Sequence, residues 1–354
     1  MLRLDSVFVS AGNFRLRNLT FGVEKGEYFV VLGPSGVGKS LLLETIAGFR
    51  PLDSGSIYLR GENISSRRIQ QRNISIVYQD ADLFPHMSVY ENVAYPLRCR
   101  KQNGIPEKVR NAAALVGIAD KLNRKPETLS GGEYQRVSLA RSIAAESDII
   151  LLDEPLSSVD SKARADLRSL LRTINRNGIT VIHVTHDYEE AISVASKIGI
   201  MEHGALVHID APAEIFKHPK SEFVARFIGV KNFLKGVLES AASSELKTFT
   251  TNGIAVSCLT DAVDGEGFLM IGPDEITIAN AEQPSSSRNH FKGVIKDLAQ
   301  ARLGFEVTVD IGCELIAIIT SESRKSLDLE IGKEVWVSFK ASSCKIYRAD
   351  RKEV

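Results

Sequence analysis

What the chain lacks narrows its class first. Nowhere in its 354 residues is there a run near the roughly 18 apolar residues that a membrane-spanning helix requires. No segment is therefore expected to cross a bilayer. The opening MLRLDSVFVS places an acid at Asp5 and has neither a long apolar stretch nor a small-residue cleavage site, which argues against a secretory signal. Cysteine is scarce. Cys99, Cys258, Cys313 and Cys344 lie far apart without metal-ligand spacing and read as reduced, mostly packed thiols of a cytosolic protein. Net charge is missing as well: Lys plus Arg and Asp plus Glu both number 44, which removes any bulk electrostatic reason to expect a grip on nucleic acid or anionic lipid. The zero hides little polarity, because residues 232–354 hold 14 basic and 18 acidic side chains and leave 30 and 26 to the rest.

What is present suits a folded protein. At 44% hydrophobic and 25% charged residues the composition excludes disordered and fibrous classes. At roughly 150 residues per domain the length points to two or three domains.

The first informative stretch runs from Tyr28 to Gly48. There YFVVL reads as a buried strand, GPSGVGKS as a glycine loop and LLLETIAG as an apolar helix. Gly33, Gly38, Lys39 and Ser40 fit the GxxxxGK[ST] phosphate-loop pattern, with Pro34, Ser35, Gly36, Val37 and Leu41 completing the loop and helix start. The glycines let backbone N–H groups approach phosphate oxygens at a helix N-terminus. Lys39 reaches the outer phosphates and Ser40 offers a hydroxyl to Mg²⁺.

Further along, SDIILLDEP sets four apolar residues before Asp153 and Glu154, as in a strand buried on both faces. Two adjacent buried acids are costly as structure alone. Beside a phosphate loop, Asp153 supports the Mg²⁺ shell and Glu154 is placed to polarise the attacking water. The strand TVIHVT ends at His186, where an imidazole can touch the outermost phosphate. Between these, LSGGE precedes a helix-spaced run in which Val137, Ala140, Ile143 and Ala144 are apolar or small, and Ser130 with Glu133 forms a capping box.

The LSGGE pentapeptide resembles the signature of ATP-binding cassette (ABC) ATPases, and the remaining family motifs follow in order over about residues 1–230. Gln79 in IVYQD looks like the Q-loop, a catalytic and Mg²⁺-site position, and Asp160 in SSVD like the D-loop. The resemblance implies an α/β P-loop fold with a RecA-like core and a helical subdomain. It also implies ATP hydrolysis with Mg²⁺, and a partner: Ser130, Gly131 and Gly132 would close on ATP held by a second copy, because one chain carries one of each motif. The family's usual adenine-stacking aromatic is replaced by Ala11 before Gly12. Phe14 is the nearest ring, and it either stacks on adenine or packs in the core. QDADLFPHMSV and HVTHDYEEA resemble importers rather than exporters, which implies permease subunits, an extracytoplasmic binding protein acting indirectly, and a place at the cytoplasmic face of the membrane. Leu83, Phe84, Pro85 and Tyr90 would offer the permease an apolar patch.

Past 230 the texture changes. GIAVSCL, GFLMIG, ITIA, FEVTVDIG, LIAIIT, EVWVSFK and CKIYR read as short strands of a small all-β, OB-like domain over 231–354. KNFLKGV recurs as RNHFKGV, so two related modules are expected. The segment resembles the transport-associated (TOBE) and molybdopterin-type modules of importer ATPases. That resemblance implies molybdate or tungstate as cargo, with an oxyanion held by Ser287, Arg288, Asn289, Lys340, Ser342 and Ser343 and acting as a feedback inhibitor. A β-domain that only dimerises remains open. So do sulfate, ferric iron, polyamine and sugar importers, which share the architecture, and more remotely a soluble ATPase outside transport.

Overall fold

The computed structural model describes residues 1–79, 83–157, 159–240, 244–301 and 304–348, with the side chains of residues 161 and 162 left aside. Two compact units divide the chain, Met1–Ile215 and Phe216–Val354.

The first unit contains two sheets. Strands β1 (Leu2–Ala11) and β2 (Phe14–Val23) pair antiparallel. After β3 (Tyr28–Leu32) and helix α1 (Lys39–Ala47), β4 (Ser54–Leu59) and β5 (Glu62–Asn63) complete a sheet of order β2-β1-β4-β5. Alternation of buried and exposed residues along β1 and β2 marks a sheet with one face in the core. Then follow β6 (Ile74–Val77), α2 (Val89–Cys99), α3 (Ile105–Leu115), α4 (Gly131–Ala144), β7 (Ile149–Asp153), α5 (Ser161–Arg176), β8 (Thr180–Thr185), α6 (Tyr188–Val194), β9 (Lys197–Glu202) and β10 (Ala205–Asp210).

The second sheet has the order β10-β9-β3-β8-β7-β6. It is parallel from β9 to β6, with β10 antiparallel at its edge. Every residue of β3, β7 and β8 is buried, as expected when helices cover both faces. The register sets Leu32 beside Thr185 and Asp153 beside Val184. Three sequence-distant motifs therefore end at the same carboxyl edge, where open α/β sheets bind their ligands.

The last helices before the β-structure are α7 (Pro212–Lys217) and α8 (Glu222–Phe227). Although α8 precedes residue 230, it belongs to the second unit, because Ala225 packs with Phe233, Phe268 and Met270. Strands β11 (Asn232–Ser240), β12 (Lys247–Thr251), β13 (Ile254–Cys258), β14 (Gly265–Ile271) and β15 (Thr277–Ala279) form one module. The other comprises β16 (Asn289–Gln300), β17 (Phe305–Asp310), β18 (Glu314–Ile319), α9 (Ser321–Ser326), β19 (Glu334–Phe339) and β20 (Lys345–Arg348).

The sheet orders are β13-β12-β11-β14-β20 and β15-β19-β16-β17-β18. Each module thus lends its last strand to the other's sheet, and one core runs through both, from Leu238 and Phe249 to Val337 and Phe339. The asparagines of the repeat make the same exchange. Buried Asn232 donates to Ile316 O (2.8 Å) and accepts from Ile316 N (2.7 Å) in the second module. Buried Asn289 donates to Ser257 O (2.9 Å) and accepts from Ser257 N (2.8 Å) in the first. Removing either amide orphans a backbone donor and acceptor at the join. Asn232→Ala or Asn289→Ala should therefore destabilise this unit by about 2 kcal/mol or more. The chain's one tryptophan, Trp336, lies on β19, so its fluorescence during urea unfolding checks this. An unchanged midpoint would count against the asparagine ties.

Candidate nucleotide-binding site

The phosphate loop is shaped by what it cannot contain. A Cβ on Gly33 would stand 2.5 Å from Met201 O, and one on Gly38 would stand 2.6 Å from the Phe14 ring. Gly38 also has φ 101°, as N-cap of α1, a conformation that L side chains rarely adopt. Bare backbone thus turns into the helix N-terminus, where N–H groups and the helix dipole favour an anion. Phe14 packs against Gly38 and the core of the first unit, so the ring sits at the loop itself. A pocket of about 540 Å³ lined by Gly12, Asn13, Phe14, Arg15, Arg17 and His203 opens beside it.

Lys39 is only 5% exposed. Its Nζ donates to Gly33 O (2.8 Å) and Pro34 O (2.9 Å) and stands 3.8 Å from Glu154 Oε1. Burial pulls the ammonium below its ordinary range, and Glu154 and Asp153 oppose this. Ser40 Oγ donates to Asp153 Oδ1 at 3.1 Å. Burial pushes the Asp153 carboxyl above its usual range, against the hydrogen bond from Ser40. This hydroxyl–carboxylate pair, hard oxygen donors at the end of the phosphate loop, has the chemistry that Mg²⁺ selects.

Glu154 follows β7 with φ 43°, a left-handed backbone that strains a non-glycine residue and gathers at functional sites. Its N–H bonds Val184 O (3.0 Å), and its carbonyl accepts from Ser157 Oγ (2.8 Å). The carboxylate so aimed meets His186 Nδ1 at 2.9 Å through Oε2. Half of the His186 side chain remains exposed. Lys39, Ser40, Asp153, Glu154 and His186 therefore form one connected cluster.

Most of the other expected positions lie on the surface. Gln79 is exposed just after β6. Ser130 and Gly131 are exposed at the start of α4, where the capping box is present in full. Gly132 is half-buried, with Ala163 Cβ 3.5 Å from where its own Cβ would stand. Asp160 is exposed and accepts from Ala163 N (3.0 Å) at the start of α5. Its neighbour Ser158 lies outside the described residues.

Two expectations are corrected. Leu83 is buried and leaves the expected apolar patch, whereas Phe84 and Tyr90 are half-buried, Pro85 is exposed and the missed Tyr95 is exposed beside them. The Phe84 and Tyr95 rings stand 4.6 Å apart, with the Arg141 guanidinium over Phe84. In the β-unit, Asn289 is spent on Ser257 and is a tie between modules rather than an exposed anion donor. The remaining groups lie on two segments that end side by side. Asn289 pairs with Phe339 at the end of the β16–β19 ladder, and Arg288 and Lys340, both exposed, are the next residues of the two chain segments beyond it. Ser287 and the turn Lys340–Ser343 flank them. At the corresponding place in the first module the turn is Gly272–Glu275, which is acidic.

The ABC transporter family matches residues 16–157 and the TOBE domain family residues 285–346. A molybdate/tungstate import ATP-binding protein of Pyrococcus abyssi is 38% identical over 353 residues, 98% of this chain and 100% of its own length. That of Thermococcus kodakarensis is 38% identical over 301 residues, 84% of this chain and 88% of its own length. A spermidine/putrescine import ATP-binding protein of Thermotoga maritima is 38% identical over 290 residues, 80% and 78% of the two chains. Among the described residues no helix is long and apolar enough to cross a membrane. With the phosphate loop, the signature helix and the paired β-modules in place, the chain belongs to the ATP-binding proteins of ABC importers, and it is an ATPase carrying a TOBE domain.

Proposed function

We propose that the chain powers import of molybdate or tungstate, working as a pair of copies beneath a membrane permease. ATP enters with its phosphates on the N-terminus of α1, and Lys39 exchanges the Gly33 and Pro34 carbonyls for phosphate oxygens. Ser40 and Asp153, with Gln79, would hold Mg²⁺, which supplies charge neutralisation on the phosphates when bound. Glu154 accepts the proton of the attacking water, and His186 holds Glu154 and contacts the outer phosphate. Ser130, Gly131 and Gly132 of one copy complete the site of the other through hydroxyl, backbone N–H and helix dipole. The exposure of Ser130 and Gly131 at the start of α4 supports this, since a buried signature would be unable to reach a partner. Phe14 stands where a base contact is feasible, beside the pocket next to Gly38. Phe84, Pro85, Tyr90 and Tyr95 suit docking on a permease, which would keep the chain at the cytoplasmic face and use an extracytoplasmic binding protein indirectly. With zero net charge, no nucleic-acid partner is proposed.

The cargo reading rests on one observation above others: the β16–β19 ladder ends at Asn289 and Phe339, so that Ser287 and Arg288 on one segment and Lys340, Ser342 and Ser343 on the other continue from neighbouring strand ends, a set of charge-assisted and hydroxyl donors suited to a tetrahedral oxyanion. Near full-length similarity to molybdate/tungstate importers supports it. A polyamine reading is favoured by comparable identity to spermidine/putrescine importers and by the acidic turn at Asp274 and Glu275. Calorimetry of the full chain with molybdate, tungstate and spermidine separates the two. We expect oxyanion binding that inhibits the ATPase and weakens at least about tenfold in Arg288→Ala or Lys340→Ala, since each removes a charge-assisted contact. Binding of spermidine alone would reverse the assignment.

A further inference from the structure

The turn carrying His186 is braced from behind by residues that the hydrolytic scheme does not use. Asp187 caps α6 by accepting from Glu190 N at 3.0 Å. In an ordinary capping box the glutamate would in turn accept the cap residue's N–H. The chain does this directly at Ser88/Glu91 and Ser130/Glu133. Ahead of α6 a hydroxyl is interposed: Thr185 Oγ1 accepts from Asp187 N (3.1 Å) and donates to Glu190 Oε2 (2.9 Å). The relay closes a loop around His186, which lies between its two anchored neighbours.

Burial sets this cap apart. Glu190 is 4% exposed and Thr185 1%. The other carboxylate oxygen of Glu190 stands 3.0 Å from Nε2 of fully buried His183, off the line of a hydrogen bond, and His183 Nδ1 lies 3.1 Å from Tyr28 OH. A helix cap alone does not require a desolvated carboxylate, which is costly unless paired. The two direct capping boxes do the same work with less buried glutamates. The buried version occurs at the helix start whose preceding residue contacts Glu154.

We propose that Thr185 and Glu190 are positioning residues for ATP hydrolysis, fixing the His186 turn so that its imidazole meets Glu154 Oε2. His183 and, behind it, Tyr28 fill the core on the far side of Glu190. The inference rests on the reading of His186 and Glu154 as the hydrolytic pair.

The test uses the full chain, with steady-state ATPase kinetics and fluorescent-nucleotide binding. Thr185→Val keeps volume and loses the hydroxyl. Thr185→Ser keeps the hydroxyl and loses a buried methyl, so a packing role would damage serine more and a positioning role would damage valine more. We expect T185V and E190Q to lower kcat about tenfold to a hundredfold with KM and nucleotide affinity nearly unchanged, and T185S to restore most of the rate. In a His186→Ala background neither change should slow the residual single-turnover rate further. Serine as slow as valine, losses that multiply in the H186A background, or a defect confined to KM would each overturn the relay. Should E190Q fail to fold by circular dichroism, the two Thr185 variants decide alone. A fully active H186A would overturn the hydrolytic pair itself, and the relay with it, whereas an inactive H186A with fully active T185V removes only the relay.

Discussion

Glu154→Gln is expected to bind ATP with normal affinity and to hydrolyse it about a thousandfold more slowly, the range a positioned general base supplies. The amide matches the carboxylate in size and keeps a partner for His186 Nδ1, now 2.9 Å from Oε2, but it has no lone pair basic enough to take a proton from water. Lys39, 3.8 Å from Oε1, loses a counter-charge, and that leaves its ammonium more available to the ATP phosphates. The same backbone strain, φ 43°, is retained, so the variant should fold as the parent does. With hydrolysis blocked, ATP and Mg²⁺ should shift the chain to a dimer in light scattering, because the closed pair can form and has no exit. A variant with ordinary phosphate release would end the assignment of Glu154 as base. A slow variant that stays monomeric in ATP would instead count against the two-copy site.

Much of this site is legible in the sequence because its chemistry is local. A strand, a glycine loop and a capped helix in series dictate the phosphate loop without tertiary information, and IILL before Asp153 announces a strand buried on both faces. The convergence of Ser40, Asp153 and His186 follows once the strands are parallel, since each motif sits at a carboxyl end. The relay at Thr185 and Glu190 goes unread in the sequence. That a hydroxyl stands between cap and glutamate, with His183 behind, depends on the register of β3 with β8.

The β-unit shows the same limit. Its short apolar stretches correspond to strands, yet β20 pairs with β14 and β15 with β19. No local signal tells which sheet a terminal strand joins, because that is decided by long-range pairing into a shared core. The repeat carried the clue in Asn232 and Asn289. Beside Arg288, an asparagine read by chemistry alone suggested an anion donor; burial and its bonds to Ser257 make it a structural tie. Leu83 fails in the same way, since an apolar residue in an apolar run gives no sign of which side faces the core.

Asp153→Asn should separate stability from function. Asp153 is 7% exposed, and burial, the largest influence on its carboxyl, pushes it above its usual range. Glu154 and Glu44 act in the same direction, while Ser40 and Lys39 oppose them. A folded-state pKa above the unfolded one means that the proton is bound more tightly in the fold. The stability linked to that proton is fully present below the unfolded pKa of about 4 and is lost as pH rises through the folded value. At neutral pH an ionised Asp153 therefore opposes folding, a cost that its proposed role at a Mg²⁺ site would account for. Asparagine keeps the hydrogen bond from Ser40 Oγ, now 3.1 Å to Oδ1, and removes the buried charge. In chelator, D153N should melt above the parent at pH 7 to 8, with the difference shrinking toward zero as pH falls to about 4. ATPase should drop at least about a hundredfold, in line with the loss of a group that orders a metal shell. A lower melting temperature at neutral pH would show that Asp153 contributes net folding energy as a carboxylate, and undiminished hydrolysis would remove it from the metal site.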